Sequence, residues 1–225
     1  MSANHAAFNL IFRFVENYIS PIAGRISSQR HVMAIRDGFI SAMPFMIVGS
    51  FLLVFAYPPF SPDTTWGFAR AWLDLAKEFE GRILTPFDMT MGIMSIYICA
   101  AISYNLGKHY EKSNQLDPFM CAMLSIMAFL LIAAPKTNGT LPVDSLGGPG
   151  IFTAILVAIY CVEMMRFLKA HNIGIRLPDQ VPPMIKNSFD LLIPVLVVVL
   201  TLYPLSLFIQ HHFDMLIPQA IMAIF

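Results

Sequence analysis

The chain has 225 residues, 57% of them hydrophobic and 12% charged, with a formal net charge of zero and a mean hydropathy of +0.67. A soluble domain carries about 25% charged residues, so the composition excludes an ordinary soluble domain, and the charge balance gives no reason to expect nucleic acid as a partner. Cys99, Cys121 and Cys161 each fall in an apolar run, with neither CxxC spacing nor neighbouring histidines. They are read as buried thiols, and no metal or redox centre is expected.

At the start, Met1 to Asn9 shows no basic cluster followed by a short apolar core and a small-residue cleavage site. No signal peptide is expected, and the first helices should act as their own insertion signal. Over residues 7–27, Phe8, Ile11, Phe12, Val15, Ile19, Ile22 and Ile26 recur at helical spacing among polar residues, which predicts an amphipathic helix on a membrane face. Ser20-Pro21 reads as a helix start, so this stretch allows two short helices with a bend.

The first span is read at residues 38–60, long enough at about 1.5 Å per residue to cross a hydrocarbon core of about 30 Å. Pro44 and Gly49 interrupt it, either as packing features or as a moving part. Ser61 to Arg82 mixes charges with Trp66, Phe68, Trp72, Leu75 and Phe79, the pattern of an amphipathic connector with an interfacial aromatic belt. Further spans are read at 83–106, 118–134, 150–168 and 189–211, giving an all-α polytopic membrane protein with about five transmembrane helices.

Five spans put the two chain ends on opposite sides. Ten cations (Arg13, Arg25, Arg30, Arg36, Lys108, Lys112, Arg166, Lys169, Arg176 and Lys186) then share one side, against four (Arg70, Lys77, Arg82 and Lys136) on the other. The positive-inside rule places the first group, and the amino terminus, in the cytoplasm. Lys136 to Pro149, with two turn signals, becomes an external turn. No internal repeat is visible. After Pro218 the chain runs apolar to Phe225 without a polar tail, which suggests part of a longer protein.

Ionisable residues inside a bilayer are functional candidates by default. Three acidic residues qualify. Asp88 follows Pro86 and is expected to cap a helix; Asp190 is expected to cap the fifth span. Glu163 stands three residues before Arg166, a spacing that favours an intrahelical pair. His211 and His212 adjoin Asp214 without metal-site spacing on one helix face, and read as a solvated pair. The chain shows no GxSxG, Walker loop, HExxH or glycine-rich nucleotide loop, so no catalytic residue, cofactor site or metal site is assigned.

The segment Leu177-Pro178-Asp179-Gln180-Val181-Pro182-Pro183 up to Phe189 is constrained by three prolines to extended and turn conformations, with Asn187 or Ser188 placed to cap the next helix. It reads as a rigid loop gripping a helix end. It resembles the proline-rich loop of the phosphotransferase-system enzyme IIC permeases of the lactose/cellobiose/chitobiose family. Ala34-Ile35-Arg36-Asp37-Gly38-Phe39, Met43-Pro44 and Gly49-Ser50-Phe51 resemble that family's entry into its first span, after an amphipathic amino-terminal helix. The likeness covers essentially the whole chain, and the wording is most like that of enterobacterial permeases for N,N'-diacetylchitobiose.

The resemblance implies a homodimer in the bacterial inner membrane whose amino-terminal five-helix half is this chain. The other half would hold the sugar, so substrate-binding residues are expected beyond Phe225 and none is assigned here. It further implies a β-linked disaccharide substrate and cytoplasmic partners: a phosphocysteine-bearing IIB component and, through it, IIA. Arg36, Lys169, Arg176 and Lys186 would then lie on the cytoplasmic face, where they either help to dock IIB or simply follow the positive-inside rule, which alone accounts for them, and the three cysteines would carry no phosphate. Two other readings are a non-transporting membrane scaffold or regulator, and an ion-coupled secondary transporter. The latter would call for a chain of buried carboxylates or histidines across the membrane, which the spans do not show.

Overall fold

In the computed structural model, residues 16–17, 20–135, 139–175, 178, 182, 185 and 189–224 are described. They form eight α-helices, with no β-strand among the described residues: α1 Ser20–Ser27, α2 Arg30–Ala56, α3 Gly67–Asp88, α4 Met94–Asn114, α5 Pro118–Ala133, α6 Ile151–Ala170 after a 3₁₀ turn at Gly148–Gly150, α7 Leu192–Phe213 and α8 Ile217–Ile224. Most of the expected amphipathic amino-terminal helix lies outside the described residues; α1 is its observed end.

α2, α6 with its lead-in turn, and α7 are long and apolar enough to cross a membrane, and α5 is a shorter apolar helix. The fold is an all-α polytopic membrane bundle. α2 begins eight residues before the expected Gly38 and ends at Ala56, ahead of Pro58 and Pro59, because residues before a proline are biased away from helical angles. It runs unbroken through Pro44. Its buried residues are all small: Ala34, Gly38, Ala42, Gly49 and Ala56. Close approach of backbones through such residues is how membrane helices gain dispersion contact when lipid offers no hydrophobic drive. Gly49 is accordingly a packing feature, with Thr90 and Met91 pressed against its Cα.

The stretch expected as the second span, 83–106, is divided between two helices. α3 ends at Asp88 and the chain turns before α4 starts at Met94. The carbonyl of Phe87 accepts from the amides of Thr90, Met91 and Gly92, which stops α3. A Cβ on Gly92 would stand 2.8 Å from the Asp88 Cα, so only glycine fits the turn. Asp88 therefore ends a helix rather than capping the start of one.

α4 is the central helix. Ser95, Ile98, Cys99, Ile102, Ser103, Leu106, Gly107 and Tyr110 form its buried stripe, packed against α2, α5 and α6. α5 starts where its sequence demands: the Asp117 side chain accepts from the amides of Phe119 (2.8 Å) and Met120 (3.3 Å), with Pro118 in the first turn. The core gathers Phe129, Leu124, Val162 and Val198 around the fully buried thiols Cys99, Cys121 and Cys161.

Two ends of the bundle can be distinguished. The near end holds the starts of α2, α5 and α7 and the ends of α4 and α6. At the far end, the amide of Ser95 donates to Leu146 O at 2.9 Å and its hydroxyl to Gly147 O, pinning the loop that leads into α6. Also there, Phe55, Phe60, Trp66, Phe68 and Trp72 form a ring cluster with neighbouring centroids 5.6–5.9 Å apart.

Candidate functional site

The last turns of α6 carry Glu163, Arg166 and Lys169 at three-residue steps, so successive side chains emerge near one another along one side of the helix. Each reaches a different neighbour. Glu163 Oε1 accepts from Tyr110 OH on α4 at 2.7 Å and stands 2.9 Å from His31 Nε2 at the start of α2. Its other oxygen accepts from Arg166 at 2.6 Å. Arg166 also donates to Tyr110 OH at 3.1 Å and lies 4.8 Å from the Tyr110 ring centroid, with Arg30 5.5 Å from the same ring. One carboxylate thus fastens three helices, with the nearly buried phenol at the centre.

A turn further on, Lys169 Nζ donates to the Gln115 carbonyl at 2.7 Å and pairs with Asp190 Oδ2 at 3.3 Å. Gln115 closes α4 in the left-handed region at φ 53°. This second tie joins the α4–α5 turn, α6 and the chain entering α7. Beside it lies a hollow of about 550 Å³, lined in part by Gln115, Lys169, Asn172, Asp190 and Pro194. Glu163, Arg166, Lys169 and Asp190 are all paired, so the arrangement fixes helix ends in charge-assisted contacts.

The expected Glu163–Arg166 pair is present. His31 and Tyr110 were not anticipated, since they lie 132 and 53 residues from Glu163; the available signal was a carboxylate late in an apolar helix, which requires a partner from somewhere. Asp190 differs from expectation: α7 begins at Leu192, with Leu191 in the cap position and no side-chain cap, and Asp190 is held by Lys169 instead. Arg36 pairs with its neighbour Asp37 at 2.8 Å. His211 and His212 occupy the exposed last turn of α7, and Asp214 caps it at φ 51°. Arg176, Lys186, Asn187 and Ser188 lie outside the described residues, as does the proline-rich segment apart from Pro178, Pro182, Ile185 and Phe189.

A smaller hollow of about 350 Å³ is lined by Ala42 and Phe45 of α2, Tyr97, Ala101 and Tyr104 of α4, and Ala122 of α5. Phe45 and Tyr97 stack there at 4.4 Å.

Residues 36–224 match the sequence profile of the family described as Phosphotransferase system, EIIC. The chain is 35% identical over 206 residues to the PTS system cellobiose-specific EIIC component of Geobacillus stearothermophilus, covering 83% of this chain and 43% of that protein. It is 30% identical over 219 residues to the lichenan permease IIC component of Bacillus subtilis, 90% of this chain and 46% of the relative. With the PTS system lactose-specific EIICB component of Streptococcus mutans it shares 32% over 207 residues, 89% of this chain and 35% of the relative. The crystal structure of the transporter ChbC, the IIC component from the N,N'-diacetylchitobiose-specific phosphotransferase system, superposes with a TM-score of 0.76 at 32% identity, over 93% of this chain and 50% of that one. The chain spans about half the length, or less, of these relatives. With the profile extending over most of its residues and the fold shared at that level, the chain belongs to the phosphotransferase-system EIIC family.

Proposed function

We propose that residues 1–225 form the amino-terminal scaffold half of a sugar permease. The whole protein carries a β-linked disaccharide of the N,N'-diacetylchitobiose or cellobiose type across the bacterial inner membrane as its hydroxyl is phosphorylated on the inner side. The phosphoryl group comes from the phosphocysteine of a cytoplasmic IIB component, recharged through IIA, and the charged product cannot return. The permease works as a homodimer with its amino terminus in the cytoplasm, so the near end, with its Glu163 and Lys169 ties, faces IIB. The substrate-binding groups belong to the other half.

The observation that carries this reading is the family match over residues 36–224, together with a likeness to ChbC that covers half of that transporter. Rigid fastening of α2, α4 and α6 at the near end suits a scaffold against which a binding half moves. The test is uptake of radiolabelled disaccharide into membrane vesicles carrying the complete protein with IIA and IIB. Accumulation of sugar phosphate should require phosphoenolpyruvate and survive a protonophore. Uptake that persists without phosphoenolpyruvate and collapses with the protonophore would replace this reading with ion-coupled transport.

A further inference from the structure

The hollow lined by α2, α4 and α5 has no part in the permease reading, and the chemistry around it changes in order along the helix axes. Gly38 of α2 packs on Ile102 of α4, and Phe45 stacks on Tyr97, so the two helices run antiparallel and their levels can be matched. From Gly38 to Ala56, α2 carries no charged side chain; from Met94 to Gly107, neither does α4. Asp37 and Lys108 are the charges at which these apolar stretches stop toward the near end. Six residues along α4 from Ile102, Lys108 stands about 9 Å closer to that end.

The hollow lies just inside this boundary. Ala42, Ala101 and Ala122 contribute only methyl groups to its lining, while Phe45 and Tyr104 remain 41% and 44% exposed. Its other polar side chains, Ser41 and Asn105, are satisfied within their own helices by the carbonyls of Asp37 and Ala101, both at 2.8 Å. Tyr104 lies one helical turn before Lys108, so phenol and ammonium share one side of α4. Lys108 is exposed, and neither its ammonium nor the Tyr104 hydroxyl has a polar partner among the described residues. The other charges near this mouth are Arg36, bound to Asp37 at 2.8 Å, and Glu111 and Lys112 in the last turn of α4. Three cations stand against two acids, which leaves the mouth cationic.

We propose that this hollow seats an acyl chain of an anionic phospholipid from the near-end leaflet, whose phosphate is held at the mouth by Lys108 and the Tyr104 hydroxyl. One such molecule supplies the order that the surface presents, an anion at the boundary and hydrocarbon beneath it. A second protein chain laid on this face would have to bring its own acid to Lys108, at the depth where membrane helices shed charge.

The test uses the complete protein in phosphatidylcholine nanodiscs with a trace of photoreactive lipid. The probe carries a diazirine midway along an acyl chain and either a phosphatidylglycerol or a phosphatidylcholine headgroup, and crosslinked peptides are quantified by mass spectrometry. Labelling at Tyr97, Ala101 and Tyr104 should favour the anionic probe about five-fold over its average preference at all other labelled peptides, the gain that one lysine near a membrane surface supports. Lys108→Gln should bring the ratio down to that average. Tyr104→Phe should lower it while keeping the ring, and Ala101→Phe, which fills the hollow, should reduce labelling by both probes. Unchanged elution volume and thermal transition verify that each variant is folded. A ratio at the hollow equal to the average, or one that Lys108→Gln leaves unchanged, would overturn the proposal. So would a hollow that neither probe labels while other helices are labelled, since another protein surface would then cover it.

Discussion

A Cβ atom placed on Gly38 would stand 2.9 Å from the amide nitrogen of Ile102. The nearest atom it would meet is Ile102 Cγ1, with the Ile102 backbone nitrogen and Cα, at 2.9 and 3.0 Å, beside it, so turning the side chain alone does not relieve the clash. Gly38→Val is expected to push α2 from α4 and cost about 1–3 kcal/mol, the usual penalty for overpacking. Gly24→Val, made in open space, serves as the control. Thermal unfolding in detergent decides it: equal midpoints for the two variants would mean that α2 does not sit this close to α4.

Lys169 and Asp190 are 26% and 36% exposed, so their 3.3 Å pair is only partly removed from water. Its coupling energy should be at most about 1 kcal/mol. A double-mutant cycle with Lys169→Met and Asp190→Asn measures it without the confounding loss of the Gln115 contact, which the lysine mutation removes in both arms. A coupling indistinguishable from zero would show that the start of α7 is held by packing alone.

Tyr57, just beyond α2, donates to Glu80 on α3 at 2.9 Å. That hydrogen bond, and then the carboxylate charge, raises the phenol above its ordinary value. A raised folded-state value means that the protonated form is favoured by the fold, so the contribution is present at neutral pH and is lost as pH climbs through the raised value. Trp72, which donates to Phe55 O at 3.2 Å and packs on its ring, sits close enough to report the loss. Tryptophan emission should step above about pH 10 in the native protein and not in Tyr57→Phe. The same step in both proteins would assign it elsewhere.

Leu141 lies 59% exposed in the far-end loop. With the amino terminus in the cytoplasm, Leu141→Cys should react with an impermeant maleimide in intact cells, whereas Lys112→Cys at the near end should react only after permeabilisation. The reverse pattern inverts the orientation of every helix.

How much of this was readable in advance depended on range. α2, α5, α6 and α7 could be found because their outward faces are apolar over enough residues to cross a bilayer, or nearly so. α4 was harder: its serines are satisfied inside the bundle, with Ser103 donating to Cys99 O at 2.9 Å, so its central position is not written in its hydropathy. The break at Met89–Ile93 was missed because Pro86 and Gly92 are both tolerated inside membrane helices, and only the convergence of three amides on Phe87 O makes a stop of them. Glu163–Arg166 could be read because helical spacing brings the two together. His31 and Tyr110 could not, because only tertiary packing delivers them to Glu163. Asp190 shows tertiary pairing overriding a local preference for capping.

α2 turns small residues inward, and Ile40, Ile47 and Phe51 outward at 54%, 51% and 63% exposure. Shape and solubility are thus encoded on separate sides of one helix. Exchanging those outward side chains for glutamate, lysine and glutamine would alter the medium the helix tolerates while leaving its seat against α4 intact. Extended to the outward faces of α6 and α7, such a repainting offers a route to a water-borne copy of the bundle, in which the near-end ties could be studied without detergent.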